Sequence, residues 1–311
     1  DGINFVHQKD RAILDLFAGS ASLAGAIGKQ VNFVSNDIQE YSKVLSQTYL
    51  VNLRDADIPD IDHIHQQVLD LVAANVQKEY LVDYNKLNDI EDFNCLEENQ
   101  KDLINKDFSY DYHLFAKNYS GTWWSYEQCL WIDALREVAD EYKDKPIYPI
   151  FLSSLMYSMA YCSQGTGHYA QYRDAKTNSS FNDICIYRKK EVFKFFHKKF
   201  NELCTYSLNT KSKVNSAFLS ADFKEALKTF EGGTVYADPP YCFVHYSRFY
   251  HALETLVLYD YPEIQKKNNV IVKGRYREDR HQSPFCIKTK VEDAFLDMFK
   301  GVESTKSQLA L

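Results

Sequence analysis

Ala12-Ile13-Leu14-Asp15-Leu16-Phe17-Ala18-Gly19-Ser20-Ala21 opens the stretch that decides the fold. The first six residues form a short apolar run, the pattern of a parallel strand buried on both faces. Ala18 to Ala21 are small and suit a tight turn. Residues 22–29 can form a short helix, and Val31-Asn32-Phe33-Val34-Ser35 reads as a second strand that ends at Asn36-Asp37. Strand, turn, helix, strand is a βαβ opening, and it predicts an α/β domain with a parallel sheet. A glycine turn after the first strand lets backbone approach a ligand at the carboxyl edge of the sheet. Asp37, at the end of the second strand, can accept hydrogen bonds from ribose hydroxyls. A βαβ turn without a ligand has the same local pattern, so this stretch by itself leaves both readings open.

The βα pattern resumes near the other end. Ala217-Phe218-Leu219-Ser220 reads as a strand, residues 223–228 as a helix and Thr234-Val235-Tyr236-Ala237 as another strand. Between the two α/β parts, the spacing predicts helices. Leu130, Trp131, Leu135, Val138 and Tyr142 recur at helical intervals, and Val192, Phe195, Phe196, Phe200 and Leu203 share one face. The expected organisation is a split α/β domain, residues 1–54 and 206–311, with a mostly helical insertion over 55–205.

Composition sets the outer bounds. The 311 residues are 45% hydrophobic and 25% charged, which excludes disorder, collagen and coiled coil as overall descriptions. The formal net charge of -7 counts against coating nucleic acid by bulk charge. That charge is unevenly spread: residues 55–111 hold fifteen acids and four lysines, whereas 188–213 hold eight basic residues and two acids, and 266–280 six and two. A basic channel beside an acidic lobe is therefore expected. The seven cysteines form no C-x-x-C pair, and an odd number cannot all pair internally. Reduced, mostly buried thiols in the cytoplasm fit better than a zinc site or a disulfide framework. No basic-then-apolar leader opens the sequence, so a secretory signal is not expected. The most apolar stretch, Tyr148–Cys162, carries three serines and is shorter than the roughly 20 residues of a membrane span.

Asp238-Pro239-Pro240-Tyr241 follows the last of these strands. Two prolines cannot continue a central strand, so they fix a rigid turn where the sheet ends. The turn presents a carboxylate, a proline carbonyl and an aromatic ring together. With D-x-F-x-G upstream, this tetrapeptide resembles the S-adenosylmethionine-dependent DNA adenine-N6 methyltransferases. The order of cofactor turn, long insertion and D-P-P-Y is similar to the α arrangement of the Dam-like class. Ser220-Ala221-Asp222-Phe223 resembles a third element of that family, whose acid lies beside the cofactor adenine. The likeness runs from residue 13 to about 286. Tyr246-Ser247-Arg248-Phe249-Tyr250 and Arg280-His281-Gln282-Ser283-Pro284-Phe285 look like pieces of restriction-modification members.

The resemblance implies a Rossmann-like methyltransferase sheet with an inserted helical DNA-recognition domain. It implies S-adenosyl-L-methionine as cofactor, held by Asp15, Phe17, Ala18, Gly19, Ser20, Asp37, Asp222, Phe223 and Asp238. It implies catalysis by Asp238, Pro239, Pro240 and Tyr241 on an adenine flipped out of double-stranded DNA, without a metal or a membrane. A restriction endonuclease is the expected functional partner. The alternatives are a cytosine-N4 or RNA adenine methyltransferase, or a non-catalytic DNA-binding relative; Asp at the first position of the tetrapeptide favours adenine. Two features depart from the family. Relatives usually have Gly where Ala21 stands, and residues 1–10 show no Gly/Asn/Lys-type element before the first strand. The chain stops at Gln308-Leu309-Ala310-Leu311, which reads as a strand just beginning, so a piece is expected to be lacking at each end.

Candidate DNA contacts follow from charge and hydrogen-bonding type. Lys198 and Lys199 lie on the basic helix, which is equally a solvated amphipathic face. His168, Gln171 and Arg173 fall in a loop after an apolar helix, and Gln and Arg suit major-groove base edges. Arg248 stands seven residues after Tyr241, and Arg275 and Arg277 belong to a further basic strip, with phosphate contact as the expected role. His63 and His65 are expected at the surface, and Trp123, Trp124 and Trp131 in the core.

Overall fold

A computed structural model describes residues 2–165, 167–241 and 245–311; Thr166 and Cys242 lie outside the described residues. The chain divides into two compact units. Unit 1 comprises Asp1–Arg54, Thr205–Ser247 and Arg280–Leu311, and unit 2 comprises Asp55–Cys204 and Arg248–Asp279.

Unit 1 is built on β1 (Ala12–Asp15), β2 (Phe33–Asn36), β3 (Ser216–Leu219), β4 (Gly233–Tyr236) and β7 (Gln308–Ala310). All pairings are parallel, in the order β3-β2-β1-β4-β7. Helices α1 (Gly2–Val6), α2 (Ser22–Ile27), α3 (Glu40–Leu50), α11 (Phe223–Thr229) and α14 (Val291–Ser304) complete it. The apolar run of β1 is explained by its two covered faces. Ile13 packs with Ala24, Phe33 and Leu50, while Leu14 and Leu16 pack with Leu227, Val235 and Met298. Each fully buried aliphatic side chain contributes roughly 2 kcal/mol. Gly233 permits the close β1–β4 approach, because a Cβ there would run into the Ala12 carbonyl. The predicted strand at 308–311 is β7, paired with β4.

The strand order reverses direction at β1, with β2 on one side and β4 on the other. Ligands of open parallel sheets bind at such a switch point, beyond the carboxyl ends of the strands. Asp15 ends β1, Asp37 follows β2, and Asp238 stands two residues beyond β4.

Unit 2 is helical: α4 (Ile61–Asn75), α5 (Ile90–Lys101), α6 (Leu114–Tyr119), α7 (Tyr126–Asp140), α8 (Tyr148–Cys162), α9 (Asn178–Arg188), most of α10 (Val192–Asn209) and α13 (His251–Leu258). A two-stranded hairpin, β5 (Lys266–Lys267) with β6 (Val270–Ile271), belongs to it, and α12 (Tyr246–Phe249) contains a point of division. Trp123 and Trp124 are wholly buried, and their indole N–H groups donate to the carbonyls of Gly274 and Met159. Arg188 and Glu97 form a buried bidentate ion pair, and Arg188 also donates to the carbonyls of Thr122 and Trp123.

One boundary corrects the sequence reading. Residues 248–279 were expected in the second part of the α/β domain, but they pack in unit 2. Arg136 of α7 donates to the Leu256 carbonyl, and Tyr259 donates to Asp133, so the helices of the insertion hold this segment. Of the described cysteines, Cys129, Cys162, Cys185, Cys204 and Cys286 are buried, Cys95 is exposed, and all six are free thiols.

Candidate active site

A cavity of about 500 Å³ lies in unit 1 at the carboxyl ends of β1, β2, β3 and β4. It brings together all the residues expected to hold a cofactor and all four of the D-P-P-Y turn. The turn after β1 is shaped by two left-handed residues, Gly19 at φ +52° and Ala21 at φ +59°. Glycine meets no penalty there; alanine costs about 1 kcal/mol. Ala21 keeps its methyl group in the core with Ile13, Ala24 and Phe33, which offsets much of that strain.

Asp37 fastens the turn. Its carboxylate accepts hydrogen bonds from the Gly19 N–H at 2.9 Å and the Gln39 N–H at 3.0 Å. Burial raises its proton affinity, and those N–H donors and the charge of His281 oppose the rise. Asp222 caps α11 by accepting from the Lys224 N–H, which places Phe223 under the cavity. Phe17, Phe223 and Phe285 form an aromatic cluster: Phe285 meets Phe17 edge-on at 5.3 Å between ring centroids, and Phe223 lies 5.1 Å from Phe285.

Asp15 is only 1% exposed, and its Oδ1 has no hydrogen-bond partner. Burial, reinforced by the charges of Asp37 and Asp238, pushes its carboxyl up to about 7, against a hydrogen bond from the Phe17 backbone. Asp238 is exposed at the cavity, and Tyr241 is 66% exposed. A ring left that free can meet a planar partner, and the carboxylate beside it can accept hydrogen bonds. The combination of an unpaired buried carboxylate oxygen, three further aspartates, a glycine turn and aromatic rings suits a positively charged nucleoside.

Sequence reasoning missed Asn36. Buried at the end of β2, its amide donates to the carbonyls of Leu16 and Ala221, each at 3.1 Å, and its carbonyl accepts from the Ala221 N–H at 3.2 Å. One side chain thus ties together the three strand ends that carry Asp15, Asp37 and Asp222. A polar residue closing an apolar strand was the available signal. Tyr246, Ser247, His281, Ser283 and Pro284 also line the cavity, and Ser247 Oγ donates to the His281 carbonyl at 2.5 Å.

The expected DNA contacts divide. Lys198 and Gln171 are exposed. Lys199 is bound to Glu202 and lies over the Tyr157 ring, and Arg173 is bridged to Asp183. His168 packs its ring on Phe249 and accepts from the Ala170 N–H. Arg248 does not point to a free phosphate site: it donates to the Ala170 carbonyl and the Tyr276 hydroxyl and stacks over the Tyr276 ring. Arg275 and Arg277 are corrected more firmly, being 7% and 8% exposed. Arg277 forms a bidentate pair with Asp260, and Arg275 donates to the Lys101 carbonyl, so neither forms a surface strip. His63 is exposed, but His65 stacks on Phe193 at 4.1 Å, near the half-buried Trp131. Among the described residues, no group of three or more His, Cys, Asp or Glu side chains could hold a metal ion, and no helix is long and apolar enough to cross a membrane.

The chain is 24% identical over 315 aligned residues to modification methylase LlaI of Lactococcus lactis subsp. lactis, which covers 97% of this chain and 43% of that protein. It is 22% identical to type II methyltransferase M.FokI of Planomicrobium okeanokoites, covering 93% of this chain and 38% of that one. Modification methylase StsI of Streptococcus sanguinis is 24% identical over 56% of this chain and 24% of its own length. The chain therefore spans less than half the length of these curated relatives. No solved structure matches it. The sequence profile of the D12 class N6 adenine-specific DNA methyltransferases matches residues 4–305, and the chain belongs to that family.

Proposed function

We propose that this chain transfers a methyl group from S-adenosyl-L-methionine to N6 of a flipped-out adenine in double-stranded DNA, as the modification enzyme of a restriction-modification system. The observation that carries the reading is the D-P-P-Y turn at the switch point of the sheet, sharing one cavity with Asp15, Phe17, Gly19, Asp37 and Asp222. Methyltransferases of this kind use S-adenosylmethionine, which supplies an electrophilic methyl on a sulfonium. Asp15, Phe17, Ala18, Gly19, Ser20, Asp37, Asp222, Phe223 and Asp238 are the residues to hold it.

The lone pair of adenine N6 is conjugated with the ring, so the amine is a poor nucleophile. The Asp238 carboxylate and the Pro239 carbonyl each accept one N6 hydrogen, which draws the nitrogen toward a tetrahedral shape and directs its lone pair. Tyr241 stacks on the base, and the second proline, Pro240, stiffens the turn between them. Extruding the base costs a few kcal/mol, which stacking and these hydrogen bonds offset. Alignment and a fixed electrostatic environment supply most of the acceleration.

In unit 2, Lys198 and Gln171 are proposed to meet phosphate and base edges. Lys199, His168 and Arg173 shape the neighbouring surface, and Arg248 braces the loop that carries Gln171 through its bonds to Ala170 and Tyr276. The division at residues 54/55 and 204/205 supports a catalytic unit and a target-recognition unit. A restriction endonuclease of the same site specificity is the proposed partner, and the cytoplasm the proposed compartment.

The test is transfer of labelled methyl to unmethylated DNA, followed by digestion to nucleosides. Label in N6-methyladenosine's deoxy form is expected. Label in N4-methylcytosine, or in RNA only, would replace the acceptor, and cofactor binding without transfer would favour a non-catalytic relative.

A further inference from the structure

The cavity of unit 1 is lined by four carboxylates, Asp15, Asp37, Asp222 and Asp238; among its described lining residues there is no lysine or arginine, and His281 is the one basic side chain. Asp37 and Asp222 are each engaged by backbone N–H groups, and Asp238 is exposed. Asp15 differs from all three, because it is buried and its Oδ1 lacks a partner. A buried carboxylate in that state is costly as an anion, and it is relieved either by a proton or by a positive charge placed beside it.

We propose that Asp15 exchanges a proton for the positive charge of the ligand: it holds the proton in the free protein and with a neutral thioether, and releases it when a sulfonium occupies the cavity. This rests on reading the cavity as the S-adenosylmethionine site. Every charged group facing Asp15 acts in the required direction. Asp37 comes from the end of β2 and Asp238 from beyond β4, and both favour the protonated form, as does burial; the Phe17 N–H opposes them. Tyr236 of β4 is pushed up by burial and then by the charges of Asp238 and Asp15, and stays neutral. His281 acts on Asp37, and Asp222 adds one more negative charge to the cavity.

The exchange closes on itself through the reaction. The N6–methyl bond forms, the sulfur–methyl bond breaks, and sulfur keeps the electron pair and loses its charge. N6 gives up one proton at the same stage. The condition under which Asp15 binds a proton therefore returns as one is set free to solvent. With Asp15 near 7, the charge of the cavity and its occupant together changes at pH 7 by about half a unit on transfer, where a permanently ionised Asp15 would give a full unit.

The experiment is calorimetric titration of the protein with S-adenosylmethionine and with S-adenosylhomocysteine at pH 7, in phosphate and in Tris, which differ in ionisation enthalpy. Binding of the sulfonium is expected to release about half a proton more than binding of the thioether, and its relative affinity is expected to rise about tenfold between pH 6 and pH 8. Repeating both titrations with Asp15→Asn subtracts the ligands' own protonation, and the excess release should vanish. A second measurement needs no variant: the Asp15 carboxyl carbon resonance should titrate near 7 in the free and thioether-bound protein, and should stay ionised at pH 6 with the sulfonium. Equal proton release by wild type and variant, or an Asp15 resonance already ionised in the free protein at pH 6, overturns the proposal while leaving the cofactor reading intact. Failure of both ligands to bind removes the reading and the proposal together.

Discussion

Replacing Asp15 by asparagine is expected to stabilise unit 1 of the ligand-free protein, and to do so only above pH 4. The carboxyl is 1% exposed and is raised from 3.8 to about 7, chiefly by burial. Below pH 4 both the folded and the unfolded chain carry the proton, and Asp15 adds nothing. Between pH 4 and 7 the unfolded chain ionises first, so it binds fewer protons than the native state, and stability falls as pH rises. Above pH 7 the loss is complete. Three units at 1.36 kcal/mol each amount to about 4 kcal/mol, a large part of the 5–15 kcal/mol typical of a folded domain. The side chain is almost wholly buried, so the discount for solvent screening is small. Asparagine has nearly the same volume, carries no charge, and offers an N–H to the neighbouring carboxylates. Urea unfolding of wild type and Asp15→Asn at half-unit intervals from pH 4 to 8.5 should give curves that coincide at pH 4 and separate to about 4 kcal/mol by pH 8, or on the order of 10 °C in Tm. Parallel curves would show that Asp15 is not desolvated as described. A wild type that gains on the variant with rising pH would refute the reasoning outright, because the charged form would then be the favoured one.

Asp238→Ala should lower methyl transfer by at least about a thousandfold while cofactor affinity changes only a few-fold, measured by single-turnover kinetics and calorimetry; retained transfer would move the catalytic role elsewhere. Arg188→Leu should destabilise unit 2 by about 3–5 kcal/mol, because it strands the buried Glu97 charge; a chemical melt with less than 1 kcal/mol of loss would count against that network. Lys198→Gln should reduce the slope of log DNA affinity against log salt by about 1 and leave Tm unchanged, whereas Arg277→Gln, which unpairs Asp260, should lower Tm with little change in slope. Ala21→Gly should alter stability by less than about 1 kcal/mol, since relief of the left-handed alanine and loss of its buried methyl oppose each other.

What the sequence made legible is what short-range chemistry dictates. The run from Ala12 to Phe17 needed cover on both faces, and Ile13 and Leu14 received it from opposite sides. The prolines at 239 and 240 had to end a strand, and the turn they form meets the first glycine turn in one cavity. Strand limits moved by a residue or two, because pairing partners and not propensity set them. The basic strip was misread for a different reason. Charge counted along a chain does not show which arginine finds a distant acid, and Asp260, which neutralises Arg277, lies seventeen residues away. Proximity in sequence also misled for Arg248: its seven-residue distance from Tyr241 carried less weight than its bonds to Ala170 and Tyr276. Asn36 went unnoticed because its three hydrogen bonds join segments up to 185 residues apart, and no local pattern records them.

The strand order has a consequence for how the chain assembles. Neighbours β2 and β3 are separated by the whole of residues 37–215, and β1 finds its other partner only at Gly233–Tyr236. Closing such long loops costs entropy before any sheet contact compensates it, which makes the central sheet slow to form. During synthesis the first two strands emerge with one edge of β1 and one edge of β2 unpaired, and they stay so while some 180 further residues are made. The helices at 61–188 rest on local contacts and can gain structure in that interval. The sheet that carries the cavity is thus the last part to be completed, and exposed strand edges during the wait are where misfolding of this chain should begin.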